Sequence, residues 1–235
     1  MTARRDRLVT LVGKGRRPVC VMLPGAGGGL TPYLRVAGHL GRDRNVHGVL
    51  PTGVLPGGEP ERDLATMAES AVGVLDAAGL RPDLVFGWSF GGVLAWEVGH
   101  ALSRTGPPPR LVIVDSSPLP RRATPAEDED IRRRVLAHLG PRPKPDVVDR
   151  VLATFTAQVD ALREHRAERR YDGPVMVRMC APWDTEEVTA ATRRWAELCA
   201  DLTTGTLAAG HFEVFDPGHL PELVAALDDF LGDAR

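Results

Sequence analysis

The amino-acid sequence predicts an α/β fold with a mostly parallel sheet and helices on both faces. Short apolar runs of strand length alternate along the chain with segments of helical apolar spacing, the order that builds a parallel, doubly wound sheet. A glycine-rich turn at residues 87–92 joins one such strand to a helix, and a strand-free segment interrupts the alternation later. Since 235 residues can form one large core, we expect a single domain over residues 1–235 with a helical lid at about 116–170.

The first part of the chain predicts the beginning of this sheet. Residues 19–23 are a continuous apolar run, which suits a strand buried on both faces, and they end in a loop of small residues at 24–29. The other predicted elements are an edge strand within 8–12, a helix at 31–41, a strand at 46–50, and a helix at 61–78 that Gly79 closes.

Residues 84–92 are the most informative stretch of the sequence. An apolar strand at 84–86 leads into Gly87, Ser89 and Gly91, which fit the pattern G-x-S-x-G, and a helix follows at once. Glycines remove side chains where the strand and the helix nearly touch, so the backbone can turn sharply and expose the serine hydroxyl. The pattern in this context indicates that Ser89 is a nucleophile.

The second part of the chain continues the sheet after one interruption. A strand at 111–114 ends at Asp115, and the segment that follows is rich in proline and charge, with helices predicted at 127–139 and 146–166. Helices inserted after a strand end are suited to form a lid over a site. The remaining predicted elements are strands at 175–180 and 202–207 and helices at 190–200 and 220–231.

Composition and charge argue against several classes of function. The formal net charge of −2 is unlike that of nucleic-acid-binding proteins, which carry a basic excess. No apolar run approaches the roughly 18 residues that cross a membrane, and no secretory leader is recognisable. The three cysteines have no metal-ligand spacing and are typical of core thiols in a reducing compartment. We therefore expect a cytoplasmic protein without a metal site.

One histidine is placed to act as the base that a serine nucleophile needs. Of seven histidines, His211 follows both a predicted strand end and a glycine-containing turn late in the chain. His219 is the second candidate, although its position at a helix start is more typical of a capping residue. The other five lie on predicted helices or strands, where a structural role is commoner: His39, His47, His100, His138 and His165.

Two aspartates compete to orient that histidine. Asp115 ends the strand that follows the serine's helix, and Asp184 follows the next sheet strand after the insertion. Either carboxylate could accept a hydrogen bond from the second ring nitrogen. The residues alone leave both alternatives open.

Two backbone amides are candidates for an oxyanion hole. One belongs to Phe90, directly after the serine, and the other to Ala26, in the small-residue loop after an early strand. Phosphate binding is the rival interpretation of that loop. It is disfavoured, because neither G-x-G-x-x-G nor a following Gly-Lys-Ser/Thr is present at the right spacing.

Together these motifs resemble the thioesterase family of polyketide synthases and nonribosomal peptide synthetases. The resemblance covers roughly residues 18–231 and is carried by residues 23–28 (LPGAGG), 87–92 (GWSFGG), 111–116 (LVIVDS) and 210–212 (GHF). It implies an α/β-hydrolase fold and an acyl-enzyme at Ser89. It also implies an acyl or peptidyl carrier protein as partner, whose phosphopantetheine arm delivers the acyl substrate, so no cofactor of its own is expected.

The resemblance also bears on the choice of acid. In chain-releasing members the acid lies where Asp115 lies, and in free-standing editing members it usually lies where Asp184 lies. The stretch at 114–118 (VDSSP) resembles the releasing kind, so Asp115 is favoured. Trp88 departs from the family pattern, in which His or Tyr is commoner beside the nucleophile.

The sequence therefore predicts a serine thioesterase that releases a carrier-bound acyl or peptidyl chain by hydrolysis or cyclisation. Because the chain has its own Met1 and no carrier segment, we expect a free-standing enzyme that acts in trans. The alternatives are an editing thioesterase that removes aberrant acyl groups from carrier proteins and a carrier-independent small-molecule esterase. A binding protein built on this fold would have little need of serine, histidine and acid together.

Overall fold

A seven-stranded sheet forms the frame of the molecule in a computed structural model that describes residues 6–181 and 185–232. Its strands are β1 (Leu8–Val12), β2 (Val19–Leu23), β3 (Asn45–Val49), β4 (Leu84–Trp88), β5 (Arg110–Val114), β6 (Tyr171–Cys180) and β7 (Cys199–Leu207). They lie in the order β1-β3-β2-β4-β5-β6-β7, with β1 antiparallel to β3 and the other neighbours parallel. The predicted α/β fold with a mostly parallel sheet is confirmed.

Helices cover both faces of this sheet. The described helices are α1 (Leu34–Leu40), α2 (Leu64–Ala77), α3 (Phe90–Ser103), α4 (Pro125–Ala137), α5 (Pro145–Glu164), α6 (Thr185–Leu198) and α7 (Leu220–Gly232). One apolar cluster joins the strands to α2, α3 and α6, and a second joins the opposite strand faces to α1 and α7. Val21 packs in the first cluster, whereas Cys20 and Met22 pack in the second. Because both faces are covered, the central strands are continuous apolar runs.

Several element boundaries differ from the predicted ones by a few residues, and two of them have an identifiable physical cause. α2 begins at Leu64 rather than at residue 61, because the Asp63 carboxylate accepts the Thr66 amide at 2.8 Å and caps the helix. β7 begins at Cys199, within residues predicted to be helical, since the β6–β7 ladder starts with the pair of Tyr171 and Cys199. In both cases a contact outside the local apolar pattern sets the boundary.

The turn between β4 and α3 leaves almost no room for side chains. A Cβ atom on Gly87 would lie 1.9 Å from the Gly91 carbonyl oxygen, and one on Gly91 would lie 2.1 Å from the Leu23 carbonyl oxygen. A Cβ atom on Gly92 would lie 2.0 Å from Ser116 Oγ. These three glycines therefore allow β2, β4 and the start of α3 to approach one another closely.

The segment between β5 and β6, residues 116–170, contains two helices that differ in burial. The outer helix, α4, has no buried residue. The inner helix, α5, is anchored from its neighbours: Arg150 Nε donates to the Val54 carbonyl oxygen at 3.1 Å, and Thr154 Oγ1 lies against Gly53. One face of α5 is buried through Val151, Thr154, Phe155, Gln158, Val159 and Ala161. We refer to residues 116–170 as the helical insertion.

Substitution of Gly87 tests the close approach at the turn. We expect Gly87→Ala to destabilise the protein by about 3 kcal/mol, because its methyl group meets backbone that cannot move aside. Gly38 is the matched control, since it lies in α1 with no atom within 4 Å of its Cβ position. Gly38→Ala should raise the free energy of unfolding by about 0.5–1 kcal/mol. Urea unfolding of both variants measures this, and equal midpoints would contradict the steric argument.

Candidate active site

Three predicted site residues meet at the carboxyl edge of the sheet. Ser89 follows β4, Asp115 follows β5, and His211 lies in the loop after β7. His211 Nε2 lies 3.0 Å from Ser89 Oγ, and His211 Nδ1 lies 2.5 Å from Asp115 Oδ2. The structure thus brings Ser89, His211 and Asp115 into one hydrogen-bonded chain. Asp184, the alternative acid, lies outside the described residues.

The protonation of His211 follows from its partners. An ionised carboxylate only accepts hydrogen bonds, so Nδ1 carries the proton and donates it to Asp115. Nε2 is then left as an acceptor for the Ser89 hydroxyl. This tautomer is the one in which His211 can take a proton from Ser89.

The backbone is strained at two of these three residues. Ser89 has φ 57° and ψ −128°, and Asp115 has φ 46°; among the described residues they are the non-glycine residues with positive φ. Backbone hydrogen bonds hold both in place, from the Ser89 amide to the Val114 carbonyl oxygen (2.9 Å) and from the Asp115 amide to the Arg178 carbonyl oxygen (2.7 Å). Strain of this kind is concentrated at functional sites, where the surrounding structure over-determines it.

The Asp115 carboxylate has a fixed partner on each oxygen. Oδ2 contacts His211, while Oδ1 accepts the Cys180 amide at 2.8 Å. Burial, together with the negative charge of Asp115, raises the pKa of the Cys180 thiol, so this thiol stays neutral beside the carboxylate. Asp115 is therefore oriented by the end of β6 as well as by the histidine.

Ser116 braces the turn that carries the serine. Its hydroxyl lies 2.7 Å from the Ser89 carbonyl oxygen and 3.0 Å from the Val114 carbonyl oxygen, and it is buried. Because a hydroxyl carries one proton, these two acceptors share it. Sequence reasoning did not single out Ser116, since nothing in the pattern separates it from Ser117.

Trp88 packs against the imidazole of His211. Its ring centroid lies 4.8 Å from that of His211, and its indole Nε1 donates to the His211 carbonyl oxygen at 3.1 Å. Phe212 and Phe215 pack against the same indole at 5.7 and 5.6 Å. A Cβ on Gly25 would lie 2.8 Å from the indole ring, so the loop after β2 rests on it as well. Trp88, where the sequence departs from the family pattern, thus contacts both His211 and the loop at residues 24–29, which we call the glycine loop.

The two predicted oxyanion donors lie on segments in close contact. Phe90 is the first residue of α3, where an amide has no acceptor within the helix. The next residue, Gly91, touches the carbonyl oxygens of Leu23 and Pro24, which lead into the glycine loop. No protein acceptor takes the Ala26 amide in the part of the chain that the structure describes. The assignment of these amides to an oxyanion hole stays a prediction.

A cavity of about 90 Å³ adjoins the serine. Trp88, Ser89 and His211 line it, and the helical insertion contributes a further part of its wall. The insertion residues in this wall are Ile131, Val135, His138, Leu139 and Val151. The wall is therefore predominantly apolar, which suits a hydrocarbon group beside the serine.

A larger cleft lies elsewhere and does not include the predicted site residues. It measures about 1050 Å³ and contains Pro18, Asp83 and Arg110. These residues precede or begin β2, β4 and β5, so the cleft lies at the amino edge of the sheet, away from Ser89. Open α/β sheets bind ligands at the carboxyl ends of their strands, so the smaller cavity is favoured as the site.

Within residues 6–181 and 185–232, no three His, Cys, Asp or Glu side chains are grouped as they would be around a metal ion. None of the helices in these ranges has the length and apolar character that crossing a membrane requires.

Comparison with known proteins agrees with this architecture. Residues 18–231 match the family described as Thioesterase domain. Two curated relatives, the orsellinic acid synthases ArmB of Armillaria mellea and Armillaria ostoyae, are each 37% identical over 107 residues. That match covers 44% of this chain and 5% of each relative, so the chain spans a small part of the relatives' length.

Solved structures that have the same fold include two thioesterase domains. The Vlm2 thioesterase domain bound with a dodecadepsipeptide superposes with a TM-score of 0.76 at 22% identity, covering 96% of this chain and 98% of that one. The NocB thioesterase domain gives 0.74 at 25% identity, with 96% and 99% covered. RedJ gives 0.72 at 25% identity, with 91% and 94% covered. With its family match over residues 18–231 and its α/β-hydrolase fold, the chain belongs to the thioesterase family.

Proposed function

We propose that this chain is a serine thioesterase that releases an acyl or peptidyl chain from the phosphopantetheine thioester of a carrier protein. The single observation that carries the proposal is the hydrogen-bonded chain from Ser89 through His211 to Asp115. Family membership supplies the reaction class, since thioesterases cleave thioesters.

In the first half-reaction, His211 acts as the base. Nε2 takes the Ser89 proton across 3.0 Å while Oγ attacks the thioester carbonyl carbon. The amides of Ala26 and Phe90 stabilise the negative oxygen of the tetrahedral intermediate. Its collapse breaks the C–S bond, leaves the acyl group as an ester on Ser89, and returns the proton from His211 to the pantetheine thiolate. Asp115 stabilises the imidazolium in between.

The second half-reaction repeats these roles with another nucleophile. Water, or a hydroxyl or amine of the acyl chain itself, gives its proton to His211 Nε2 and attacks the ester carbonyl. Collapse returns the proton to Ser89 Oγ and releases an acid or a ring. The acyl group travels on the partner's phosphopantetheine, so the proposal requires no cofactor bound by this chain.

The relatives support an acyl or peptidyl substrate on a carrier. The Vlm2 domain was solved with depsipeptides bound, and the NocB domain was solved as a covalent complex with a fluorophosphonate nocardicin G analogue. Both are thioesterase domains with the fold of this chain. By analogy, we infer that an acyl or peptidyl carrier protein is the partner here.

The size of the cavity favours a second candidate function, removal of short acyl groups from carrier proteins. The cavity of about 90 Å³ is smaller than the roughly 150 Å³ that holds a benzene molecule in an engineered apolar core. A short acyl group fits beside Ser89 with the helical insertion in this position.

Ser89→Ala is the direct test of the nucleophile. We expect it to lower kcat for hydrolysis of an acyl-loaded carrier protein on the order of 10⁶-fold, the loss seen when other serine hydrolases lose their nucleophile. Intact-protein mass spectrometry should find the acyl adduct on the wild type and none on the variant. Substantial turnover by Ser89→Ala would refute the mechanism.

The same assay separates the carrier-dependent reaction from a free esterase. The control compares one acyl group on the carrier with the same group as a simple ester of the free acid. Faster turnover of the carrier-bound form supports the proposal, whereas equal or faster turnover of the free ester supports a small-molecule esterase.

Asp115→Asn tests the choice of acid. The amide keeps the size of the carboxylate but reverses the tautomer of His211, so we expect kcat to fall by about 10⁴-fold with the fold intact. Asp184→Asn is the matched comparison and should leave kcat within a few-fold of wild type. Should Asp184→Asn lose activity while Asp115→Asn keeps it, the orienting role belongs to Asp184.

A further inference from the structure

A buried side chain of the helical insertion contacts the glycine loop after β2. Gln158, on α5, is 3% exposed, and its Oε1 accepts the Gly27 amide at 2.8 Å. These two residues are 131 positions apart in the chain. Sequence reasoning missed the contact because glutamine on an apolar helix face has no motif to identify its partner.

The orientation of the Gln158 amide is fixed by its partner. A backbone amide can only donate, so the atom facing Gly27 must be the side-chain oxygen rather than the nitrogen. The hydrogen bond is buried, which makes it costly to lose, since the Gly27 amide would then have no acceptor in its place.

The glycine loop needs such a contact to keep one shape. Gly27 and Gly28 have φ +87° and +82°, values that glycine adopts freely and also leaves freely. Within the loop, the Gly28 amide donates to the Gly25 carbonyl oxygen at 3.0 Å. Gln158 supplies a second hydrogen bond, from outside the loop, to the peptide that joins Ala26 and Gly27.

We propose that Gln158 is a positioning residue that orients the Ala26 amide in the oxyanion hole by holding the peptide between Ala26 and Gly27. The inference rests on the proposed function, because it takes Ser89 as nucleophile and Ala26 as donor. The Gly27 amide is occupied by Gln158, so the amide that the loop presents to the oxyanion is the preceding one.

The inner helix is a suitable support for this role. α5 is fixed to the adjoining loop by the hydrogen bond from Arg150 to the Val54 carbonyl oxygen, and its side chains Val151 and Gln158 reach the glycine loop from the same face. A peptide held by a packed helix keeps its orientation while charge develops, which is the condition for electrostatic stabilisation of an oxyanion.

Labelling of Ser89 by an alkyl fluorophosphonate tests the proposal without knowledge of the acyl group. Ser89 Oγ forms the P–O bond as the P–F bond breaks, His211 takes the serine proton, and fluoride leaves; the phosphoryl oxygen occupies the oxyanion hole. Saturation kinetics give the inactivation rate constant kinact and the reagent affinity KI separately. Labelling is followed by intact-protein mass spectrometry.

For Gln158→Leu, which has nearly the same volume and no acceptor, we expect kinact to fall by roughly 10- to 100-fold with KI little changed. This is less than the about 10²–10³-fold loss on deletion of an oxyanion donor, because the Ala26 amide remains but is misoriented.

Thr154→Val is the matched control, since Thr154 is 1% exposed on the same helix face and its Oγ1 has no hydrogen-bond partner among the described residues. Its kinact should equal that of the wild type.

The outcomes separate this inference from the proposed function. If the wild type is not labelled, or Ser89→Ala is labelled equally, the proposed function fails. If the wild type is labelled at Ser89 and Gln158→Leu shows the same kinact, or Thr154→Val loses as much, Gln158 has no positioning role. Should Gln158→Leu fail to fold by circular dichroism, Gln158→Asn replaces it; this amide is one methylene too short to reach Gly27 and should show the same loss of kinact.

Discussion

The close approach of β2, β4 and the start of α3 is the constraint on which the site depends. Gly91 lies against the Leu23 carbonyl oxygen, so any side chain there would push the glycine loop away from Ser89. Ser89, at the sharp turn beside this contact, has a positive φ. Hydrogen bonds from the Ser89 and Asp115 amides to neighbouring strands offset this strain. Backbone contacts thus place Ser89, Asp115 and the loop after β2 beside one another.

Features written in short stretches of sequence could be predicted, and features that depend on distant contacts could not. The glycines around Ser89 and the apolar strands are local patterns, and the chain order of serine and histidine pointed to His211. The residues alone could not decide between Asp115 and Asp184 as the acid, because that choice depends on which strand end faces the imidazole. Gln158 was missed for the same reason: its partner lies 131 residues away.

The imidazole is held by groups that differ in chemistry. Asp115 binds one ring nitrogen, the Ser89 hydroxyl lies at the other, and the indole of Trp88 lies beneath the ring while binding the His211 carbonyl oxygen. Asp115 Oδ2 contacts this ring, and the Cys180 thiol beside Asp115 stays neutral. His211 is thus oriented through both of its ring nitrogens and through its own backbone carbonyl.

The two helices of the insertion contribute differently to the site. α4 contributes Ile131 and Val135 to the cavity wall and has no buried residue, whereas α5 is packed and its Gln158 accepts the Gly27 amide. Substitutions on a helix with no buried residue have small effects on stability, so the wall can be remodelled at little cost to the fold. Selectivity for the acyl group can consequently diverge among descendants of this chain, by mutation or by engineering, while the apparatus for thioester cleavage is inherited unchanged.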